Sequence, residues 1–131
     1  KILGVTILTS LDRDDLDSSL LKPGNVTDLV LERAALAFEA GADGVIASAQ
    51  EAAMIRALPQ SKNRLIVTPG IRPAGSAKDD QKRLMTPANA IAEGSDHIVI
   101  GRPIWKSDDP KARALAVLEE ISAASTSLCP I

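Results

Sequence analysis

The chain has 131 residues, 45% of them apolar, and its 15 basic and 17 acidic residues leave a net charge of -2. This balance gives no overall attraction to nucleic acid or to an anionic membrane. One Phe, one Trp and no Tyr leave little aromatic surface for stacking bases. The apolar runs are too short to cross a bilayer, and a single cysteine, Cys129, excludes an intramolecular disulfide. Since there is also only one histidine, few zinc ligands are available, and we expect a cytoplasmic protein without a metal site.

The first half of the chain alternates apolar runs with helical patterns. Residues 1–10 are rich in β-branched side chains and do not alternate polar with apolar positions, which predicts a strand buried on both faces. Residues 11–25 are polar and predict a long loop with no more than one short turn of helix. Residues 26–38 carry apolar side chains at helical spacing, and Gly41 supplies a natural helix end. "GVIAS", residues 44–48, predicts a short buried strand, and residues 49–58 predict a helix that stops before Pro59.

The second half repeats this alternation. "RLIVTPG", residues 64–70, predicts a strand, and residues 72–84 predict a long loop. Thr86 and Pro87 are typical of a helix start, as N-cap and first helical residue, and this helix should end at Gly94. "HIVIG", residues 97–101, predicts a strand, and residues 110–124 predict a closing amphipathic helix. Residues 125–131 are predicted to form a flexible tail.

The predicted order is therefore β-α-β-α-β-α-β-α, which implies a parallel sheet covered by helices. A doubly wound sheet normally carries a glycine-rich phosphate loop after its first strand, and "LTSLDRDD" is not such a loop. A (β/α)8 barrel instead holds phosphate after its last two strands and needs about 250 residues. We therefore predict that residues 1–124 are the C-terminal half of a (β/α)8 TIM barrel. Because this half alone has unpaired sheet edges, it should require the other half or a second copy.

A short echo precedes two of the predicted strands. Gly41-Ala42-Asp43 comes before "GVIAS", and Gly94-Ser95-Asp96 comes before "HIVIG". The echo indicates either a repeated structural unit or the general preference of helix-to-strand turns for Gly and Asp.

Two similar turns follow the last two predicted strands, "VTPGIRP" and "VIGRPI". Gly70 and Gly101 have no side chain to block a close approach of the backbone to an anion. Arg72 and Arg102 can each offer paired donors to phosphate oxygens, and the prolines after them restrict the loop exits. The turns therefore predict a shared phosphate site, against the alternative that both arginines lie on surface loops.

Five segments carry a resemblance when they are taken in order: "LGVTILTSLD", "GADGVIASAQEA", "VTPGIRP", "DDQKR" and "GSDHIVIGRPI". Over residues 2–121 the chain resembles the C-terminal half of the orotidine 5'-phosphate decarboxylase family. The resemblance implies a cofactor-free homodimer that converts orotidine 5'-monophosphate to UMP and CO2 in pyrimidine biosynthesis. The segment "AASTSLCPI" carries no resemblance.

The resemblance also implies roles for individual residues. The phosphoryl group would be bound by Arg72, Gln81, Gly101 and Arg102, while Thr9 would line the nucleotide site and Ser10 would hydrogen-bond the pyrimidine. Residues 71–84 would be a mobile flap that folds over the phosphate. Asp79 stands where the family often has glycine, and we expect its carboxylate to point to solvent.

The family's proton donor is a lysine within a network of aspartates on strands of the N-terminal half, and this chain has no such strand-borne motif. Lys78, Lys82 and Lys106 fall in predicted loops, and Asp43 and Asp96 precede strands, at the end opposite to the phosphate turns. We therefore expect no catalytic residue in this chain, no activity of this piece alone, and an N-terminal half-barrel as its partner.

The remaining candidate residues favour structural interpretations. His97 is interpreted as filler at a strand start, and Cys129 as inert. Trp105 is expected to pack at the barrel top or against a subunit rather than to stack on a base. The aspartates of residues 12–17 lack the glycine and distal glutamate of a calcium loop and indicate a solvated acidic loop.

Two other functions stay open at this point. One is another sugar-phosphate TIM-barrel lyase, synthase or epimerase. The other is a non-catalytic half-barrel that binds phosphate.

Overall fold

The computed structural model describes residues 1–18, 25–73 and 85–127. Its strands are β1 (Leu3–Val5), β2 (Gly44–Ile46), β3 (Leu65–Thr68) and β4 (His97–Ile98). Its helices are α1 (Arg13–Ser18), α2 (Val26–Glu39), α3 (Ala52–Arg56), α4 (Pro87–Ala92), α5 (Arg102–Trp105) and α6 (Pro110–Ser127). Single 3-10 turns cover Ala49–Glu51 and Pro59–Ser61.

The four strands form one parallel sheet in the order β1-β2-β3-β4. One row of the ladder runs across it, with Val5 opposite Ile46, Ile46 opposite Val67, and Val67 opposite His97. A doubly wound sheet reverses its strand order partway, whereas a barrel adds its strands in sequence. The strand order therefore confirms the predicted parallel α/β fold and favours the barrel over the doubly wound sheet.

Local capping interactions define the helix boundaries, and those at Thr86 and Gly41 were predicted from the sequence. Asn25 is the N-cap of α2, and its side chain accepts a hydrogen bond from the Thr27 N–H. Thr86 caps α4 in the same way through the Asn89 N–H, with Pro87 as the first helical residue. Gly41 adopts a positive φ of 92° just beyond the end of α2, a conformation that glycine adopts without steric cost.

The core lies between the sheet and the helices that cover its outer face. Val45 and Ile66 project from the centres of β2 and β3 and are fully buried beside Val30 and Ala34 of α2. The backbone of β1 approaches α2 so closely that a Cβ atom on Gly4 would lie 2.8 Å from the Ala37 Cβ. Outward-facing residues of the sheet are thus covered by α2 and α3.

The opposite, inward face of the sheet stays open. Val5 and Val99 are apolar, yet their side chains are 56% and 51% exposed. Val99 continues the ladder beyond β4, because its N–H donates to the Thr68 carbonyl over 2.9 Å. In a closed barrel this face is filled by side chains from all the strands, and the four strands present cannot fill it.

The two aspartates of the sequence echo make the same pair of hydrogen bonds. The Asp43 N–H donates to the Ile2 carbonyl over 2.8 Å, and the Asp43 carboxylate accepts the Ile2 N–H over 2.6 Å. The Asp96 N–H donates to the Ile66 carbonyl over 2.9 Å, and its carboxylate accepts the Ile66 N–H over 2.7 Å. The echo therefore marks a repeated structural unit, which ties each aspartate to the neighbouring strand at the N-terminal edge of the sheet.

Arg56 forms a further hydrogen bond with the second of these aspartates, Asp96. Its guanidinium donates to the carbonyls of Arg64 and Gly94 over 2.9 and 3.0 Å and to the Asp96 carboxylate over 2.6 Å. This one side chain joins the end of α3 to the start of β3 and to the turn before β4.

The structure differs from the sequence prediction at several elements. Strand β1 covers only three of the predicted residues 1–10, and it is not buried on both faces, since Val5 is 56% exposed. Helix α1 lies within the predicted loop of residues 11–25, where Asp12 and Asp15 each accept the other's N–H in a capping box. Helix α5 replaces a predicted loop after β4. Helix α6 continues to Ser127, past its predicted end at residue 124, while residues 128–131 lie outside the described ranges. Within the described residues, no helix is long and apolar enough to cross a membrane.

Asp96→Ala should lower the free energy of unfolding by about 1–2 kcal/mol, because it leaves the buried Ile66 N–H without its acceptor. Urea denaturation provides the measurement, and Asp108→Ala, at an exposed aspartate, is the matched control with little expected effect. Equal midpoints for the two variants would contradict the role given to Asp96.

Candidate functional site

The candidate site lies where the C-terminal ends of the parallel strands meet. Five of the six predicted binding residues follow the ends of β1, β3 and β4, at one edge of the sheet: Thr9, Ser10, Arg72, Gly101 and Arg102. Gln81, the sixth, lies outside the described residues together with Lys78, Asp79 and Lys82. His97 lies at the start of β4, opposite Val67 in the ladder, and its interpretation as a structural residue stays a prediction.

The segment after β1 presents Thr9 and Ser10. The Leu11 N–H donates to the Leu8 carbonyl over 3.0 Å, and the tight turn that results encloses both residues. Thr9 is buried at 6% exposure and Ser10 is half-buried. Asp12 then precedes α1, so a short turn, rather than the end of the predicted strand of residues 1–10, carries the two hydroxyls.

The segment after β2 contains a buried acid that the sequence analysis missed. Ser48 caps the 3-10 turn by accepting the Gln50 N–H over 3.3 Å, and Glu51 is only 3% exposed. Ser48 to Glu51 reads S-x-x-E, the pattern of a capping box, which would place the glutamate at an ordinary helix start. Only the fold shows that this carboxylate is buried at the functional edge of the sheet.

In the segment after β3, backbone contacts with Met85 hold Arg72 in place. Gly70 adopts a positive φ of 78°, and Ile71 forms a parallel bridge with Met85. The Arg72 N–H donates to the Met85 carbonyl over 3.0 Å, and its Nη1 donates to the Ile71 carbonyl over 3.1 Å. Arg72 is 8% exposed, so its charge is buried at the base of the long connection between β3 and α4.

The turn after β4 differs in detail from the prediction. Gly101 is the N-cap of α5, and Arg102 is a half-buried first residue of this helix rather than a loop residue. A Cβ atom on Gly101 would meet only the Trp105 Nε1, at 3.8 Å, which is an ordinary contact distance. Among the described residues there is therefore steric room for a side chain at position 101. Gly70 differs, because its positive φ favours glycine.

Trp105 borders this turn and is 62% exposed. The Lys106 ammonium lies 5.4 Å from the centre of the indole ring, within the range of a cation–π contact. The ring is therefore not packed into the core of this chain, and its predicted contact with another subunit stays a prediction. Among the described residues, no group of His, Cys, Asp and Glu side chains could hold a metal ion.

Comparison with known proteins gives the chain its family. A sequence model described as "Orotidine 5'-phosphate decarboxylase / HUMPS family" matches residues 1–117. The chain belongs to this family. It is 72% identical over 123 residues to an orotidine 5'-phosphate decarboxylase of Ruegeria pomeroyi, covering 94% of this chain and 51% of that protein. A relative of the same name from a Jannaschia species is 65% identical over 121 residues, covering 92% and 53%.

Solved structures give the same result for the fold. The crystal structure of orotidine 5'-phosphate decarboxylase from Lactobacillus acidophilus matches with a TM-score of 0.75 at 39% identity, over 92% of this chain and 49% of that one. An uncharacterized conserved protein from Geobacillus kaustophilus matches with a TM-score of 0.68 at 35% identity, over 91% and 47%. The chain thus spans about half the length of the relatives it matches. These matches confirm the predicted fold class, half of a TIM barrel built from β-α units.

Gly70→Ala should lower the free energy of unfolding by about 1–2 kcal/mol, because alanine is strained at a positive φ. Gly101→Ala is the matched control with little expected effect, since Gly101 has a φ of -108° and a Cβ atom there would meet only the Trp105 Nε1, at 3.8 Å. Urea denaturation provides the measurement. Equal losses of stability in both variants would contradict the conformational role given to Gly70.

Proposed function

We propose that this chain is the phosphate- and nucleotide-binding half of an orotidine 5'-phosphate decarboxylase, a carboxy-lyase that forms UMP and CO2 during pyrimidine biosynthesis in the cytoplasm. The observation that carries the proposal is the 72% identity over 123 residues to a relative of that name. The arrangement of the site supports it, because the turns that contain Arg72 and Arg102 follow paired neighbouring strands.

In the proposed site Arg72 and Arg102 bind the phosphate dianion together. The two turns come from β3 and β4, which are paired in the ladder, so both can approach one anion from the same edge. Guanidinium groups form paired, charge-assisted hydrogen bonds with phosphate oxygens. Burial of Arg72 strengthens such an interaction, because water competes less for the charge. Gly101 supplies backbone beside the anion, and Gln81 stays part of the proposal although it lies outside the described residues.

Thr9 and Ser10 are the proposed contacts of the nucleoside. They follow β1, two strands away from β3, so the base and the phosphate would lie across the width of the sheet edge. Two hydroxyl groups in an ordered turn can pair with the carbonyl and N–H groups of a pyrimidine. A phosphate site alone does not distinguish nucleotides from sugar phosphates, so these residues carry the proposed specificity.

The proposed reaction separates binding from proton transfer. Decarboxylation develops negative charge on the pyrimidine, far from the phosphate, so the arginines act through binding energy that positions the substrate. The proton donor would come from the complementing half of the barrel. Asp43 and Asp96 cannot take that role, because their carboxylates are bound to strand N–H groups at the opposite edge.

The proposed partner is the remaining half of the barrel, and the open surfaces of the chain support this. Val5 and Val99 expose the inward face of the sheet. Beside the free edge of β4, an apolar groove of about 290 Å³ is lined by Ile98, Ile100, Ile104, Ala114, Val117, Leu118 and Ile121. A neighbouring β-α unit would pair with the edge and cover the groove. We further propose that the complete enzyme is a homodimer, as the family resemblance implies.

Arg102→Ala and Arg72→Ala should each lower kcat/KM of the complete enzyme more than about tenfold, since the loss of a buried charge contact typically costs about 2–5 kcal/mol. Steady-state decarboxylation of orotidine 5'-monophosphate provides the measurement. Lys62→Ala, at an exposed lysine before β3, is the control and should leave kcat/KM unchanged. A change within about twofold for Arg102→Ala would show that this residue is not a phosphate ligand.

UMP should raise the melting temperature of the complete enzyme more than ribulose 5-phosphate does at equal concentration, because only UMP can engage Thr9 and Ser10. A thermal-shift titration measures both ligands. A larger shift with ribulose 5-phosphate would instead favour a sugar-phosphate lyase, synthase or epimerase.

A further inference from the structure

Arg33, which no step of the proposed function uses, reaches the end of β1. Its Nη1 donates to the Thr6 carbonyl over 2.9 Å, and the side chain is half-buried. Arg33 lies in the middle of α2 beside Val30 and Ala34, which are fully buried against the sheet. The packing of α2 therefore directs the arginine stem toward the strand end.

The Thr6 carbonyl lies just after β1, where the chain turns toward the proposed nucleoside contacts. The Thr6 N–H and hydroxyl both donate to the Ile46 carbonyl, over 3.0 and 2.9 Å, and Ile7 is buried in the core at 4% exposure. From there the backbone leaves the ladder and forms the turn that contains Thr9 and Ser10. Arg33 thus holds the chain on the side where the turn begins.

The far side of the turn is held independently. Asp12 and Asp15 exchange side-chain hydrogen bonds at the start of α1, over 3.0 and 3.1 Å. Thr9 and Ser10 lie between these two anchors, so a shift at either anchor would be passed to their turn. Both anchors use charge-assisted hydrogen bonds, from a guanidinium donor at Thr6 and to carboxylate acceptors at Asp12 and Asp15.

We propose that Arg33 is a positioning residue for nucleoside recognition: through the Thr6 carbonyl it sets the geometry of Thr9 and Ser10. This inference rests on the proposed function and deepens it. Its effect should be confined to the base end of the substrate, because Arg72 and Arg102 follow β3 and β4, and Arg33 contacts the chain after β1. Arg33 does not itself touch substrate in this proposal.

The experiment compares UMP with ribose 5-phosphate as competitive inhibitors of the complete enzyme. Arg33→Met keeps the apolar stem and removes the donor, and it should raise the inhibition constant of UMP about tenfold while that of ribose 5-phosphate changes less than about twofold. Arg33→Lys retains a cationic donor and should recover part of the UMP affinity. Arg33→Gln, which is too short to reach the carbonyl, repeats the test should Arg33→Met fail to fold.

Arg56→Met is the matched control. Arg56 is also a half-buried arginine that donates to backbone carbonyls, but it does so at the N-terminal edge of the sheet. The variant should lower the melting temperature and leave the ratio of the two inhibition constants unchanged.

The outcomes separate this inference from the proposed function. Parallel weakening of both inhibitors by Arg33→Met, or no weakening of either, would overturn the positioning role while the parent enzyme still turned over. An equal change in the ratio for Arg56→Met would also overturn it. A parent enzyme that does not decarboxylate orotidine 5'-monophosphate would overturn the proposed function and this inference with it.

Discussion

The parallel ladder from β1 to β4 is the constraint on which the rest of the structure depends. Because the strands are paired in chain order and point the same way, segments far apart in the sequence end at one edge of the sheet. The register is held at the opposite edge, where the carboxylates of Asp43 and Asp96 accept N–H groups of the neighbouring strands. A one-residue slip of either strand would break these bonds and turn core side chains toward the open face.

The two edges of the sheet have different roles, although similar chemistry operates at both. At the N-terminal edge, Arg56 and Asp96 connect strands and turns within the fold. At the C-terminal edge, Arg33 and the buried Arg72 donate to carbonyls of the segments that carry the proposed binding residues. In barrels this separation is general, since the loops after the strands vary with function while the other end maintains stability. We therefore expect that stability and the proposed binding can be altered separately.

The chain has an open sheet face and spans only part of its relatives. It covers about half of its relatives and exposes Val5 and Val99 on a face that a closed barrel would fill. In the proposed function the arginines bind the part of the substrate that does not react, and the reacting groups lie elsewhere. The remote phosphate then acts by supplying binding energy for closure and alignment. Such a division is possible because phosphate and pyrimidine are separated by the ribose.

Much of the architecture could be predicted from local patterns. Asn25, Thr86 and Gly41 lie at helix ends because the capping interactions involve neighbours only a few residues away. Helix α5 was not predicted, and α1 only as one short turn within a loop, because both helices are short and lack an apolar period. The strands are shorter than their apolar runs, since pairing depends on where the neighbouring strand ends. Glu51 matched a common helix-start pattern, and only the packed fold revealed its burial.

The sequence by itself determined the alternation of strands and helices, the family, and the two turns in which Arg-Pro follows a glycine, because each depends on contiguous residues. Only the tertiary structure decided that Asp43 and Asp96 are equivalent strand ties, that Arg102 begins a helix, and that Arg33 holds the end of β1. The hydrogen bonds of Asp43, Asp96 and Arg33 join residues 27 to 41 positions apart, and the start of a helix at Arg102 depends on how neighbouring segments pack. No local sequence pattern indicates such contacts.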